Sequence, residues 1–502
     1  MNVQLESKEL LDGQRGWHKT LTWQQGFYFS FSLACGAFIS TGFTIGAIGA
    51  YGALLVSVIM ATVGLLSNFL FAEMATMFPE KTGSLSMYAR EGLRRYFIPG
   101  GVLCAYGYWL GYALSVVFSA VMVGQLIQAQ WLADSTWGFK VPGGVQVNAG
   151  VVIAASIIVA CWILCLLGVH VTARVTTFIG AAFMLVIVIV IFGVLVPGKA
   201  NAANLTFMNP GWKGVLIWCY IAGWTLFGSE IGAAFAPEYK NPQRDVPRVL
   251  LSTAIFLGAI FSLTPVAATA ELGVDTIAAN PLTYGPLAAA HVLGGTGGQF
   301  FTILLVAALC VVNLLFMNDA SRATAGMAEA GDAVKQLGRM NRFGSPTWGT
   351  HAVAIVNVAV LLFVPSPVGI ILAANLGYIL AHSMANWSFV ILRYSQPTAV
   401  RPLRLRGPVW VPIAVFLGCF HLLILGLGIF NPGLAGYGGA KETMIGVVIL
   451  LAGLLLWVIR RVFQDHQPLQ LRDRSYHLGP LSPGATRAAE AAAERSLDGR
   501  ES

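Results

Sequence analysis

The sequence predicts an all-α integral membrane protein of twelve transmembrane helices, and three observations predict it. Hydrophobic residues make up 56% of the 502 positions and charged residues only 10%, so apolar runs recur at lengths that cross about 30 Å of hydrocarbon. Lysine and arginine collect in alternate loops between those runs. Two of the runs are interrupted by small polar residues at matching places in the two halves of the chain.

The first observation locates the spans, at 26–51, 53–77, 100–132, 149–167, 175–196, 211–236, 249–270, 298–325, 348–363, 368–392, 409–430 and 443–462. The second orients them. With the N-terminus in the cytoplasm, only Lys140, Lys199, Lys213 and Lys441 of the 30 basic residues fall outside. The inside set includes Lys81, Arg90, Arg94 and Arg95 after span two, and Arg393, Arg401, Arg404 and Arg406 after span ten. Span nine is short enough to be re-entrant, but removing it inverts every later loop and destroys the asymmetry. An even count puts both termini in the cytoplasm, as expected of a multi-pass protein of the cell membrane.

Outside the spans the chain is polar. Residues 1–25 form a cytoplasmic segment with mixed charge, no short apolar core and no small-residue cleavage site, so no signal peptide is expected. From 463 to 502 the tail carries no apolar face to bury and reads as disordered. The helical pattern of span eight continues to Gly331, which should carry Asp319 and Arg322 toward the cytoplasm. All seven cysteines lie in apolar runs without metal-ligand spacing and read as small packing residues. The net charge of +8 sits in short loops and forms no aromatic-rich basic face, which argues against nucleic acid.

The third observation gives the organisation and the site. Span one contains Ser40-Thr41-Gly42 and span six contains Gly228-Ser229, and each opens a group of five. Five is odd, so the second group (211–392) must run inverted relative to the first (26–196), with two further helices over 408–462. Glycine-interrupted segments at matching positions of inverted repeats point to a transporter's binding site. Backbone N–H groups freed at Ser40, Thr41 and Gly42 would favour a carboxylate. Carbonyls freed between Trp224 and Gly228 would accept from an ammonium, and together the two breaks suit a zwitterion. The competing reading of each stretch is close helix packing by small residues.

Trp224 stands in mid-span, either as a lid on a cavity or as packing that needs a partner for its indole N–H. Glu230 is an acid inside a span and must be protonated, paired or wet; it reads as a gate or as a bonded structural acid. Glu73 and Asp319 read as structural, His382 and His421 as buried satisfied side chains, and Asn313, Asn357, Asn375 and Asn386 as groups that hydrogen-bond between helices. No catalytic constellation, metal motif or cofactor fingerprint is present, so no enzyme is expected.

These residues resemble the amino acid-polyamine-organocation superfamily of permeases, which have the leucine-transporter-like fold with helices one and six broken. The likeness rests on Ile39-Ser40-Thr41-Gly42-Phe43, on Phe71 to Pro79 with Gly83 and Tyr88, on Phe227-Gly228-Ser229-Glu230 with Glu238 and the run Asn241 to Arg248, and on Ser321-Arg322 through Ser345-Pro346. The resemblance implies that Ile39, Ser40, Thr41, Gly42, Trp224, Phe227 and Gly228 bind substrate, with Trp224 and Glu230 in gating or coupling. Tyr112 and Asn313 are expected on the cavity wall. Two departures stand out: Ser40 replaces the usual first glycine of the span-one break, and Phe183 stands where many proton-coupled members carry a lysine.

A secondary transporter for an amino acid or related amine is therefore expected, with proton symport, sodium symport and exchange all open. The mostly neutral wall residues favour a neutral or aromatic substrate, with a polyamine or other organic cation as the alternative. A membrane sensor that binds an amino acid without moving it is the reading from a different class.

Overall fold

The computed structural model describes residues 17, 19–142, 145–363, 367–431 and 440–478, and the chain is mostly helical. In order the helices are α1 (Trp23–Phe31), α2 (Ala37–Met77), α3 (Ser84–Leu93), α4 (Ile98–Trp131), α5 (Ala149–Leu166), α6 (Val169–Phe192), α7 (Gly211–Leu226), α8 (Pro242–Leu272), α9 (Val274–Ala279), α10 (Tyr284–Glu329), α11 (Thr347–Phe363), α12 (Pro367–Ser395), α13 (Trp410–Phe430) and α14 (Ala440–Ile459). Among the described residues nine helical segments are long and apolar enough to cross a membrane, and α11 is a shorter apolar helix.

Local chemistry sets several starts. Thr22 and Gln25 form a capping box at α1, in which each side chain satisfies the other's backbone N–H. Asn148 caps α5 by accepting from the Val151 N–H. Proline opens α4 and α8, where its missing N–H costs nothing.

The helices depart from the expected spans in four respects. Expected spans one and two run into the single 41-residue α2, bent at Gly49, whose φ of +72° only glycine adopts without strain. Span eight begins earlier than expected, because α10 has 46 residues with a similar bend at Gly294, leaving a short helix over 284–293. A second short helix, α3, is too polar for a hydropathy reading to find, yet it is almost wholly buried between larger helices. An antiparallel hairpin of β1 (Gly138–Lys140) and β2 (Gln146–Asn148) joins α4 to α5.

The core centres on α4. In its most apolar stretch 83% of residues are buried, against 22% at α14, which is peripheral. Glycine makes the central crossing possible: a Cβ at Gly107 would stand 2.5 Å from the carbonyl oxygen of Gly377, and one at Gly111 would stand 2.9 Å from the Tyr378 Cβ. Asparagines tie the helices together, as their spacing suggested. Asn357 accepts from the Val117 N–H at 2.8 Å, Asn313 donates to the Val116 carbonyl at 2.9 Å, Asn375 to that of Tyr220, and Asn386 to Ser67 Oγ at 3.3 Å.

One end of the bundle gathers the basic residues and both ends of the described chain. There Leu21 pairs with Tyr239, and Arg322 lies fully buried against Glu238 at 2.5 Å. Glu73 meets Arg393 at 2.6 Å and Arg401 at 3.3 Å, in keeping with a structural role. The first part of the tail expected to be disordered is instead strapped to this end. The Ile98 N–H donates to Leu471 (2.8 Å), Arg94 bonds Asp473 (3.0 Å), and Tyr476 donates to Glu91. Residues 479–502 and 1–16 lie outside the described residues.

Candidate functional site

The interruption of span six falls at Phe227-Gly228. There α7 ends, Phe227 is extended and Gly228 has φ +109°; the chain then resumes as a 3-10 helix, Ser229–Glu238. A side chain at Gly228 would be strained, and its Cβ would stand 2.9 Å from Leu33 Cδ1. Side chains from α2, the loop after it and the start of α3 hold the 3-10 helix in place. Asn68 bonds Ser229 Oγ (2.6 Å), Thr82 donates to the Ala234 carbonyl (2.5 Å) and Ser84 to that of Glu230 (3.0 Å).

Glu230 turns back over this break. Its Oε2 accepts the Gly228 N–H at 2.8 Å, and its Oε1 accepts from the Tyr112 hydroxyl at 2.6 Å and from Tyr378. Burial is almost complete, at 1% exposed. Its donors come from α4, α12 and the broken backbone, rather than the carboxyl itself donating to a neighbouring carbonyl. The Gly107–Gly377 crossing is what brings the two tyrosines within reach of one carboxyl.

Beside the break lies a narrow cavity of about 40 Å³, room for only a few water molecules. Its walls come from five parts of the chain: Leu33, Cys35 and Gly36; Tyr112, Ser115, Phe118 and Ser119 of α4; Trp224, Phe227 and Gly228; Leu309, Val312 and Phe316 of α10; and Tyr378 of α12. Trp224 is half-buried, packs edge-on against Phe118 at 4.7 Å and donates its indole N–H to Ser115 Oγ at 2.8 Å. The mid-span tryptophan thus has its partner and also faces the cavity.

Tyr112, Trp224, Phe227, Gly228 and Glu230 therefore come together, whereas the span-one residues do not join them. Ser40, Thr41 and Gly42 lie inside α2, and the irregular turn is the 3-10 segment Ser32–Gly36, one to two turns earlier. Two contacts explain the shift. Ser40 Oγ donates to the Gly36 carbonyl at 2.6 Å, turned back onto its own helix rather than toward the cavity. Gly42 is used for packing, since its Cβ would stand 2.8 Å from the Tyr284 ring. The Ile39 side chain lies outside the described residues. Asn313 sits behind Ser119, to which it donates at 3.0 Å, and does not line the cavity. Phe183 is fully buried against Phe301.

The expectation for the histidines fails in part. His421 bonds the Leu417 carbonyl at 2.6 Å through Nδ1 while its Nε2 has no partner, and neither ring nitrogen of His382 has a hydrogen-bond partner. Its Nε2 stands 3.5 Å from Glu230 Oε1, just beyond good bonding distance. Tyr378 is the site residue that the sequence reading did not name, and His382 is one that it assigned to packing. Their signal was available, as two polar rings four residues apart on one face of an apolar helix.

Residues 21–455 match the family described as Amino acid permease. The chain is 24% identical to the amino-acid permease RocE of Bacillus subtilis, over 65% of this chain and 69% of that one. It is 25% identical to the histidine permease HisP of Lactococcus lactis, over 65% and 68%. It is also 24% identical to the lysine-specific permease LysP of Escherichia coli, over 85% and 89%.

Proposed function

The chain belongs to the amino acid permease family, and on that premise we propose that it is a secondary transporter carrying an amino acid across the cell membrane by alternating access. One observation carries the reading. Non-helical backbone at Phe227-Gly228 borders a buried cavity, and broken membrane helices place their ligands against such backbone.

The substrate lies between Leu33–Gly36 and the Phe227-Gly228 break, nearer the start of span one than Ser40, Thr41 and Gly42. The cavity is too small for an amino acid as it stands, so one wall must move on binding. Trp224 is that wall: it is half-buried, and a single hydrogen bond to Ser115 holds its polar edge. Phe118, Leu309, Val312, Phe316 and Trp224 present no charge to the ligand, which favours a neutral or aromatic side chain. A cationic substrate is the second reading, supported by relatives named for histidine and lysine and by the Glu230 carboxyl behind Tyr112.

Twelve helices in two inverted sets of five, with two more at the end and both termini in the cytoplasm, complete the reading. Its support is a short helix at the same place in each set, α3 between spans two and three and 284–293 between spans seven and eight. Alternating access is then the rocking of one group of helices against the other around the break.

The test is uptake of radiolabelled leucine, phenylalanine, histidine, lysine and putrescine into proteoliposomes, under an inward proton gradient, under a sodium gradient and with unlabelled compound inside. Accumulation or exchange of an amino acid supports the permease. Saturable binding of an amino acid with no flux in any arm would identify a sensor instead.

A further inference from the structure

The permease reading leaves one buried group at the break without a task, and the inference here rests on that reading. His382, on α12, is 2% exposed. Its imidazole stacks on Phe227 at 4.5 Å on one side and lies parallel to His421 at 5.5 Å. Neither ring nitrogen is hydrogen-bonded. Leaving a buried donor and acceptor unmet is costly, and a phenylalanine would fill the same slot without that cost.

We propose that His382 is the residue that binds and releases the proton coupled to amino-acid movement, using the carboxylate of Glu230 as its partner. In the step, the free lone pair of the imidazole takes a proton from a hydronium ion of the solution, an O–H bond breaking as the N–H bond forms and water leaving, and the resulting imidazolium donates to Glu230 Oε1 across the present 3.5 Å gap. In the opposite-facing state the same N–H bond breaks and the proton returns to water on that side.

The surroundings favour His382 over its neighbours for this role. Both Glu230 oxygens are already supplied, by Tyr112 and Tyr378 and by the Gly228 N–H. Tyr112 from α4 and Tyr378 from α12 are committed donors to that acid. His421 from α13 stands behind His382 with Nδ1 bonded to its own helix. From α2 the facing ring is Phe71 at 5.8 Å, and that helix's acid, Glu73, is engaged by Arg393 and Arg401. Among these titratable groups, His382 alone has both its polar atoms uncommitted.

The coupling to conformation is short. Glu230 holds the Gly228 N–H, and Phe227 stacks on His382 itself. A charge placed on this ring therefore acts on both residues of the helix break.

The experiment uses the full chain in proteoliposomes with leucine, phenylalanine, histidine and lysine as probes. For a one-to-one symporter, a gradient of about one pH unit supports about tenfold accumulation. His382→Gln should lose that accumulation while still exchanging labelled for unlabelled amino acid at a measurable, reduced rate. His382→Phe, which keeps the stack on Phe227, should behave in the same way. Accumulation at the wild-type level in either variant overturns the proposal.

If neither variant folds, the wild type decides. Calorimetry in buffers of different ionisation enthalpy should count about one proton taken up per amino acid bound near pH 7, and a count of zero overturns the proposal. Exchange by the wild type without any response to a proton gradient also overturns it and leaves the permease reading intact. No uptake or exchange of any probe by the wild type defeats the permease reading itself.

Discussion

Replacing Glu238 by Gln should destabilise the closed basic end of the bundle more than any surface charge change could. Arg322 is fully buried, and its guanidinium bonds Glu238 through Nε at 2.5 Å and Nη2 at 3.2 Å. Its remaining acceptors, the Asn318 carbonyl and Oδ1 at 3.2 and 2.8 Å, take only Nη1. The Phe235 ring, 4.8 Å from the guanidinium carbon, offers weak cation–π support. Removing one partner of a buried pair leaves the other charged and unpaired, at a cost of about 3–5 kcal/mol.

For a chain of this size that cost corresponds to a fall of roughly 5 °C in apparent melting temperature. The same change should favour the state open at this end, because the Arg322–Glu238 pair ties α10 to the 3-10 helix there. Melting would be followed by intrinsic fluorescence in detergent, and opening by the labelling rate of a cysteine placed at Thr82. A second variant sharpens the reasoning. Glu238→Met combined with Arg322→Met removes both charges and should recover most of the lost stability, since paired buried charges are replaceable by apolar groups of similar size. A double variant as unstable as the single one, or a single one that melts like the wild type, refutes the argument.

Trp224→Ala should abolish uptake while the protein stays folded and inserted, because the ring is a half-buried cavity wall rather than a core residue; wild-type uptake would make it packing. Gly107→Ala must push α4 from α12, since the new methyl meets the Gly377 backbone, and overpacking of this kind costs about 1–3 kcal/mol. Uptake should fall with it as Tyr112 and Tyr378 separate, whereas an unchanged melting curve would show that the crossing has slack. The C-terminal strap should be acid-labile. Burial works to raise the Asp473 carboxyl, but Ser475 and the Arg94 guanidinium outweigh it and hold the group below its ordinary value. A depressed carboxyl contributes stability that is complete above the unfolded value of about 3.9 and is lost as pH falls through the folded one. Hydrogen exchange at the Asp473 and Ile98 amides should therefore accelerate, relative to its intrinsic rate, only below about pH 4; acceleration at pH 6 would mean that another group holds the strap.

What the sequence disclosed and what it withheld follow from the range over which each signal acts. Hydropathy is a local sum, so the apolar stretches and the short α11 were readable, whereas the buried but polar α3 was not. The bends at Gly49 and Gly294 were not, because glycine occurs throughout these helices and only packing decides which one leaves the helical region. The break at Phe227-Gly228 was readable because an acid follows a Gly-Ser pair, a combination that lipid alone would not retain. Its supposed counterpart at Ser40-Thr41-Gly42 has the same small polar character without the acid, and Gly42 is spent on packing against Tyr284, so small residues alone could not separate a break from a packing face. Glu230 was recognised as an acid needing partners, but those partners, Tyr112 and Tyr378, stand 118 and 148 residues away. The glycine crossing of α4 and α12 brings them together, so the pairing exists only after the helices dock. The same docking leaves the His382 nitrogens unmet, so the local pattern of α12 marks Tyr378 and His382 as two polar rings on one face but does not say which of them finds a partner.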